Sequence, residues 1–473
     1  MRKLFTLLLA LAGLTSLSAQ DEYRIAVTIE GYQDTMLRLA NNVLDKQYLV
    51  DTAYRNADGQ YVFSGPLEEL PQGIYLVVTA PDNDYFQILV GQDRRFDVMT
   101  QTSDLADLKV KGDKENELFL DYLAFIAEVQ EESTPLQESL RDTTLTEAAR
   151  AELEKGLEVF DERVTQHQDK LIKKQPASFT AAIIRANRQP EPPEFPELEG
   201  DDQREAQWRW LQTHYFDNLD LRDERLLRTP FLFNKLNYYV DGLTIQHPDS
   251  VAESVDFLLD KMDPQSDFFK FYVVHFINKA ASSKVVGMDK VYVHMVDNYY
   301  ANGRAYWADE EQLAKMIDNA ERTRPLLIGK PAPDLELKRR DGTDFRLYDV
   351  KAKYTILYYW QFACPSCKKS TPFMKDFYAK WQPRGVEVIS ICTRQREIDN
   401  CWKYVDDNDI GDWLHATDKY QRFARIYDVR STPTIYILDE NKEIISKRIG
   451  AQQLDEILEM FEARKAAEST DGE

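Results

Sequence analysis

The chain has 473 residues and a formal net charge of −22. A mean field of that sign repels polyanions, so we expect no nucleic-acid partner. Hydrophobic residues make up 43% of the chain, which excludes a disordered protein, and the length predicts about two to four domains.

The first residues have the pattern of a secretory signal peptide. Arg2 and Lys3 precede an apolar run over residues 4–14, which a stretch of small residues follows. We therefore expect a signal peptide over residues 1–19 and an exported, periplasmic protein that begins at Gln20. A buried N-terminal helix is the alternative, but polar residues come directly after the cleavage site. No later stretch reaches the roughly 18 apolar residues of a membrane span, so any association with a membrane would be peripheral.

Short β-rich runs with turn residues between them follow the signal. Asp58-Gly59 is one turn signal, because glycine adopts a positive φ without steric cost. Such spacing is typical of antiparallel sheets, and we predict an antiparallel β-sandwich over residues 20–112. Its expected strands are residues 23–30, 36–40, 48–54, 60–63, 74–79, 85–90 and 96–100.

From Asn116 the apolar residues recur at helical spacing, and we predict a mostly α-helical region over residues 113–322. Thr144 and Glu147 have the spacing of a capping box before one of its helices. A proline-rich loop is expected at residues 189–201, since prolines alternate there with glutamates and neither a helix nor a central strand can continue through them.

No motif in the chain predicts a cofactor or a metal. The six histidines are scattered without ligand-like spacing, so we infer no metal site. We find no P-loop, no dinucleotide fingerprint and no internal repeat, and we expect no cofactor.

Residues 323–473 alternate between strand and helix patterns, which predicts an α/β domain. Strands are expected over residues 354–360 and 386–392, and a hairpin over residues 434–449. The four cysteines all lie between positions 364 and 401. Cysteine therefore serves local chemistry or one local crosslink, not a disulfide-rich scaffold.

A C-x-x-C motif, Cys364-Pro365-Ser366-Cys367, lies where the first of these strands is expected to give way to a helix. At a helix N-terminus the unpaired N–H groups and the helix dipole stabilise a thiolate, which makes Cys364 the expected nucleophile. Cys367, one turn further, is the expected resolving thiol that releases a mixed disulfide. Lys368 and Lys369 add positive charge nearby, either with a modest electrostatic role or, as is more common for exposed helix lysines, only as solvated surface.

The same motif is half of a zinc ribbon, but no second C-x-x-C exists, and Cys392 and Cys401 have the wrong spacing for one. Those two cysteines could pair across the connection between a strand and a helix, or remain separate buried thiols. In either form we favour a structural role over redox signalling.

Residues 329–462 resemble the thioredoxin-like domains of the TlpA and ResA type, which are exported thiol-disulfide oxidoreductases. The matches are the tryptophan before the pair, the proline of the kinked active-site helix, the cis-proline motif and the glycine after the last strand, here Trp360, Pro372, Thr432-Pro433-Thr434 and Gly450. The resemblance implies a thioredoxin fold and disulfide exchange with protein thiols, catalysed by Cys364 and Cys367. It also implies substrate contacts by Trp360, Thr432 and Pro433, and supporting roles for Pro365, Ser366, Lys368, Pro372 and Gly450.

The chain departs from the family's pattern at the groups that move protons. Thioredoxin has a buried acid where this chain has Tyr358, and ResA-type proteins have a glutamate where it has Ser370. The resemblance therefore identifies no proton relay. Pro365 takes the first place between the cysteines, as in strongly oxidising periplasmic enzymes, whereas most TlpA-like relatives have proline second. The sequence does not fix the direction of exchange.

Two other functions compete with disulfide exchange. A peroxidase of the peroxiredoxin type needs threonine or serine three residues before its reactive cysteine, where this chain has Gln361. A non-catalytic envelope scaffold that uses the thioredoxin fold as a docking module is the alternative of a different class. The missing acids at Tyr358 and Ser370 are the observation that supports this alternative, and disulfide exchange stays the leading hypothesis.

Overall fold

The computed structural model describes residues 22–470, and the predicted signal peptide over residues 1–19 lies outside them. As predicted, the chain is multidomain, with a β-rich N-terminal region, a helical central region and a C-terminal sheet of the thioredoxin type. No helix within the described residues combines the length and apolar composition that a membrane crossing requires. The described chain forms two compact units, one of residues 22–243 and 261–268 and one of residues 244–260 and 269–470.

The first unit begins with eight strands in two four-stranded sheets. Alternate residues of both sheets enter one apolar core, as the period of two along a strand requires. The strands are β1 (Glu22–Glu30), β2 (Met36–Val43), β3 (Lys46–Tyr54), β4 (Tyr61–Pro66), β5 (Gly73–Val78), β6 (Tyr85–Val90), β7 (Arg95–Gln101) and β8 (Asp104–Lys111).

The strand orders are β4-β1-β7-β8 and β3-β2-β5-β6. One pair departs from the antiparallel expectation, because β1 and β7 run parallel, with Ile25 opposite Phe96. A parallel pair needs a long crossover, which the strands between them supply. The sequence pattern also missed β8, which packs only its partly buried Leu105, Leu108 and Val110 against the core.

Helices follow the sandwich as far as residue 323, and residues 188–199, in the proline-rich stretch, form neither helix nor strand. The capping box predicted for Thr144 and Glu147 is wrong. Thr146 caps the helix instead, and its Oγ1 accepts the N–H of Ala149 at 3.2 Å. The helices are α1 (Lys114–Leu140), α2 (Glu147–Lys174), α3 (Phe179–Asn187), α4 (Gly200–His214), α5 (Leu232–Tyr238), α6 (Pro248–Leu259), α7 (Asp267–Ser282), α8 (Asp289–Met295) and α9 (Glu310–Thr323).

The second unit contains a seven-stranded mixed sheet with one apolar cluster on each face. Its strand order is β10-β9-β13-β12-β11-β14-β15. The elements in chain order are β9 (Glu336–Arg339), β10 (Asp344–Arg346), β11 (Tyr354–Trp360), α10 (Pro365–Trp381), β12 (Val386–Cys392), α11 (Ile398–Asp407), β13 (Leu414–Thr417), α12 (Phe423–Ile426), β14 (Thr434–Leu438), β15 (Ile444–Lys447) and α13 (Leu454–Thr470).

Strand β11 positions the cysteine motif. Every one of its residues is buried, as its run of β-branched and aromatic residues suits a strand covered on both faces. It runs parallel to β12 and antiparallel to β14, with Tyr359 opposite Thr434. The end of β11 and the start of β14 therefore lie together, which brings residues 361–364 and 432–433 to one edge of the sheet.

Candidate active site

Cys364 caps the N-terminus of α10. Its Sγ accepts a hydrogen bond from the Cys367 N–H at 3.2 Å, and its carbonyl accepts the Lys368 N–H at 3.1 Å. Pro365 takes the first helical position, where a missing N–H costs no intrahelical bond. The helix thus begins directly after Cys364, and the unpaired N–H groups of its first turn are available to a thiolate at that residue.

The loop before β14 provides the second contact of Cys364. The Thr432–Pro433 bond is cis, and the Cys364 thiol donates to the Thr432 carbonyl at 3.2 Å. Gln361 also reaches this loop, since its Nε2 donates to Thr432 Oγ1 at 3.2 Å. Thr432, predicted from the family motif, is therefore in direct contact with the sulfur, and Pro433 follows it.

The groups around Cys364 set the acidity of its thiol. Burial, at 7% exposure, raises its pKa. The Cys367 thiol, the Thr432 side chain and the N–H groups of Cys367 and Ser366 together stabilise the thiolate more strongly, so the pKa of Cys364 lies below its ordinary value. Because the thiolate is the reactive form, Cys364 is the sulfur prepared to attack.

Cys367 has the opposite environment. It is 1% exposed, and burial, assisted by its hydrogen bond with Cys364, raises the pKa of its thiol to about 12. The Cys367 thiol is therefore protonated at neutral pH. The two thiols therefore differ in acidity, since the pKa of Cys364 is lowered and that of Cys367 is raised.

We expect a thiol-alkylating reagent to label Cys364 well before Cys367 at mildly acidic pH. The rate at Cys364 should fall only as the pH drops through its lowered pKa, whereas Cys367 should react slowly until the pH approaches its raised pKa. Timed labelling across a pH series, read by mass spectrometry of the two cysteines, checks this. Labelling in denaturant is the control, since both thiols should then behave alike, and equal labelling of the native pair would contradict the assignment.

Trp360, predicted to contact substrate, lies at the end of β11 and is 1% exposed. Its ring lies parallel to that of Tyr358, with centroids 6.5 Å apart, and it packs against Tyr404 with centroids 5.3 Å apart. No face of the indole is open to a substrate in this structure. Trp360 belongs to the apolar cluster that contains both cysteines of the motif, and its substrate contact stays a prediction.

Tyr358 and Ser370, which stand where related proteins have acidic residues, carry no charge. The Tyr358 hydroxyl is buried and has no hydrogen-bond partner among the described residues. Burial raises its pKa, and negative charge on Cys367 would raise it further, so the phenol stays neutral. Ser370 Oγ donates to the Ser366 carbonyl of its own helix at 3.0 Å.

The other predicted residues lie around the pair. Pro365, Ser366 and Lys368 are exposed on the first turn of α10. Pro372 lies within that helix, where it removes one intrahelical hydrogen bond. Gly450 follows β15, and its N–H donates to Gln453 Oε1 at 2.9 Å.

Two hydroxyl residues near Cys367 escaped the sequence analysis. Thr371 Oγ1 donates to the Cys367 carbonyl at 3.0 Å and lies 2.9 Å from the Tyr404 hydroxyl. Thr371 stands one turn after Cys367 on the same helix face, a spacing that could have revealed it. Tyr404 comes from α11, and no local pattern points to it.

Cys392 and Cys401, whose pairing the sequence left open, form a disulfide. Cys392 ends β12 opposite Trp360, and Cys401 lies on α11. The bond thus ties α11, and Tyr404 with it, to the sheet. Both cysteines are buried, at 2% and 0% exposure, which favours the structural role expected for them.

Replacing both Cys392 and Cys401 by serine should lower the free energy of unfolding by about 3 kcal/mol, since the bond closes a loop of about ten residues in the unfolded chain. Urea unfolding of the two proteins measures the loss as a lower midpoint. The wild type treated with a strong reductant should shift to the same midpoint, and the double variant should not respond to the reductant. An unchanged midpoint in the variant would contradict a stabilising role.

The chemistry of the site follows from the opposite pKa shifts of its two thiols. The sulfur with the lowered pKa ionises more readily and can attack a disulfide, and the second sulfur can then close a bond with the first. The pair stands at the end of β11, an interior strand of a mixed sheet covered by helices, beside the loop that contains Thr432 and Pro433. The C-terminal residues therefore form a thioredoxin-like oxidoreductase domain.

Comparison with known proteins agrees with this class. Residues 328–447 match a family model described as the AhpC/TSA family. Residues 23–119 and residues 161–323 match two models described as domains of unknown function, DUF4369 and DUF5106 respectively.

The thiol-disulfide oxidoreductase ResA of a Bacillus cereus strain is 30% identical over 130 residues, which are 28% of this chain and 74% of that protein. ResA of Bacillus thuringiensis subsp. konkukian is 31% identical over 134 residues, which are 28% of this chain and 76% of that protein. Through this region the chain belongs to the ResA family of thiol-disulfide oxidoreductases.

One solved structure similar to this region is a domain of a possible thiol-disulfide isomerase from Cytophaga hutchinsonii. It is 38% identical with a TM-score of 0.29, and the match covers 30% of this chain and 98% of that chain.

Proposed function

We propose that the chain is an exported thiol-disulfide oxidoreductase that exchanges disulfides with protein partners through Cys364 and Cys367. The observation that carries the proposal is the position of the Cys364 sulfur, which lies 3.2 Å from both the Cys367 N–H nitrogen and the Thr432 carbonyl. The first contact stabilises the thiolate. The second places the sulfur beside an extended loop, against which a partner's chain can lie.

The exchange takes place in two steps. The Cys364 thiolate attacks one sulfur of a partner disulfide, so that a mixed disulfide forms and the partner's other sulfur leaves with the bonding electrons and takes a proton. Cys367 then loses its proton and attacks the Cys364 sulfur. The Cys364–Cys367 bond forms, the partner's remaining sulfur leaves as a thiolate, and the partner has gained two electrons. The same steps in reverse oxidise a dithiol.

Thr432 and Pro433 have the docking role in this proposal. The Thr432 carbonyl accepts the Cys364 thiol while the pair is reduced, and it becomes available to another donor once the proton has gone. A partner chain laid along this loop would then pair with the backbone beside the reacting sulfur. Replacement of Pro433 should therefore slow exchange without removing either sulfur.

The rest of the chain has a proposed division of labour. We assign residues 1–19 to export, residues 20–112 to a sandwich domain, residues 113–322 to a helical domain and residues 323–473 to the redox domain. The two front domains would select partners or surfaces. The support for export is the charge and apolar pattern of the first residues.

Turnover of a model protein disulfide, such as insulin with an external dithiol, tests the proposed activity. The wild type should accelerate reduction, the Cys364→Ser protein should fall to the rate without enzyme, and the double serine variant of Cys392 and Cys401 should keep turnover while it remains folded. A folded wild type that shows no turnover would contradict the proposed enzyme activity. It would favour the alternative, in which the thioredoxin fold is a docking module.

A further inference from the structure

A polar groove of about 590 Å³ adjoins the reactive cysteine. Gln361 and Thr432 line it, and these are the residues joined by the 3.2 Å hydrogen bond beside Cys364. Since the Thr432 carbonyl also accepts the Cys364 thiol, the groove begins where the sulfur is held. A chain that places its own sulfur on Cys364 would carry its neighbouring residues across this groove.

The charge of the groove is opposite to that of the protein. Among its lining residues are three arginines, Arg394, Arg396 and Arg430, and a single acid, Glu397. The chain as a whole contains 81 acidic and 59 basic residues. A cluster of cations in an acidic protein creates a local field that attracts anions to this one place.

The arginines differ in how far the protein neutralises them. Arg430 Nε donates to Asp428 at 2.8 Å, so its charge is partly balanced. Arg394 Nε donates to the neutral amide oxygen of Gln361, and within the described part of the chain neither Arg394 nor Arg396 forms an ion pair with a carboxylate. Two guanidinium groups thus retain donors for an incoming carboxylate.

The groove also holds an unsatisfied acceptor. Gln395, between the two unpaired arginines, has a buried Oε1 that accepts no hydrogen bond from any described residue. That oxygen is shielded from solvent, so a bound chain would reach it only after the Gln395 side chain turns into the groove. The two guanidinium groups match carboxylate side chains, and a sulfur that reacts with Cys364 belongs to a peptide chain under the proposed exchange, which together indicate an acidic peptide ligand.

We propose that this groove binds an acidic segment of the partner protein, next to the cysteine that reacts with Cys364. The inference rests on the proposed disulfide exchange and adds a substrate class to it. The arginines act before the chemical step, by drawing the acidic segment in and aligning the partner's sulfur. They take no part in bond formation.

Three disulfide-bonded peptides that differ only in the residues flanking the reactive cysteine, with Glu, Gln or Lys there, test the proposal on the full reduced chain. The Glu peptide should react with a kcat/KM about tenfold above that of the Gln peptide at low salt, the lower end of electrostatic steering. The Lys peptide should be slower than the Gln peptide. High salt should bring the three values together, because the screening length falls to about 3 Å at 1 M ionic strength.

The Arg394→Gln/Arg396→Gln protein should lose the preference for Glu, measured as the ratio of its kcat/KM values on the Glu and Gln peptides. Arg396→Gln alone is the cleaner variant, because Arg394 also contacts Gln361. The matched control is Lys351→Gln/Lys403→Gln, which removes the same charge at exposed positions that do not line the groove and should keep the preference.

The outcomes separate the two proposals. If no peptide reacts with the wild type, the proposed exchange itself fails. If all three react equally at low salt, exchange stands and the acidic substrate class is overturned. If the preference for Glu survives in both arginine variants, the groove is not its source.

Discussion

The Cys367→Ser protein should accumulate mixed disulfides with its partners, and the Cys364→Ser protein should not. In the first variant Cys364 keeps its place at the helix N-terminus and the backbone N–H groups that lower its pKa, so attack proceeds, but no thiol remains to resolve the product. In the second, the remaining sulfur is 1% exposed and its pKa is raised to about 12. Turnover should fall to the uncatalysed rate in both.

Non-reducing gels of the two variants, with the captured chains identified by mass spectrometry, measure the difference. The double variant Cys364→Ser/Cys367→Ser is the control for adventitious crosslinks, and Cys392 and Cys401 remain in all three proteins. Capture by Cys364→Ser equal to that by Cys367→Ser would overturn the roles assigned to the two sulfurs. Capture by neither, from folded protein, would favour the docking module.

The Asp289→Ala protein should be less stable than the wild type by about 3–5 kcal/mol, because it leaves a buried cation without its counter-charge. The side chain of Lys447 is 4% exposed and pairs with Asp289, and its Nζ also donates to the Leu326 carbonyl. Burial lowers the pKa of Lys447, so the ammonium relies on its partners to stay charged. Urea or thermal unfolding measures the loss.

A surface pair provides the matched control. Lys315 and Glu311 are 2.5 Å apart, but their side chains are 69% and 81% exposed, so Glu311→Ala should cost less than about 1 kcal/mol. In the double variant Asp289→Ala/Lys447→Met the unpaired cation is absent, and part of the loss should return. Equal effects at the buried and the exposed pair would contradict the account.

The sequence was sufficient to predict two interior strands of the sheet and the position of the cysteine motif. The predicted ranges 354–360 and 386–392 are the observed β11 and β12, since continuous apolar runs rich in β-branched and aromatic residues leave little choice for a strand covered on both faces. Cys364 was placed at a helix start because the motif follows such a strand. These features depend on neighbours in sequence.

What the sequence did not reveal depends on contacts through space. Strands of three or four residues, such as β10 (Asp344–Arg346) and β13 (Leu414–Thr417), are too short to show a period. The parallel pairing of β1 with β7 joins residues about seventy positions apart along the chain. The burial of Trp360, for which a substrate contact was expected, was not predicted, because the family motif carries no information about how deeply a side chain lies.

The unpredicted parts of the site have the same origin. Tyr404 reaches Thr371 from another helix, and Arg394 reaches Gln361 from the loop after β12. Each is a polar contact between segments that are distant in sequence, and no spacing rule links them. The capping error was of a different kind. Thr144 and Thr146 both lie just before Glu147, and only the geometry of the turn shows which of them caps the helix.

The chain contains two cysteine pairs, the Cys392–Cys401 disulfide and the Cys364–Cys367 dithiol, and each pair has its own oxidation state. One pair of sulfurs must open and close at every turnover, while the other stays closed and ties α11 to the sheet. A thiolate has to reach a sulfur to attack it, and burial at 2% and 0% exposure shields the second pair kinetically. A gentle reductant should therefore yield a chain with two titratable thiols, whereas a strong one yields four and a looser domain. Activity measured after harsh reduction would describe that second species, not the native enzyme.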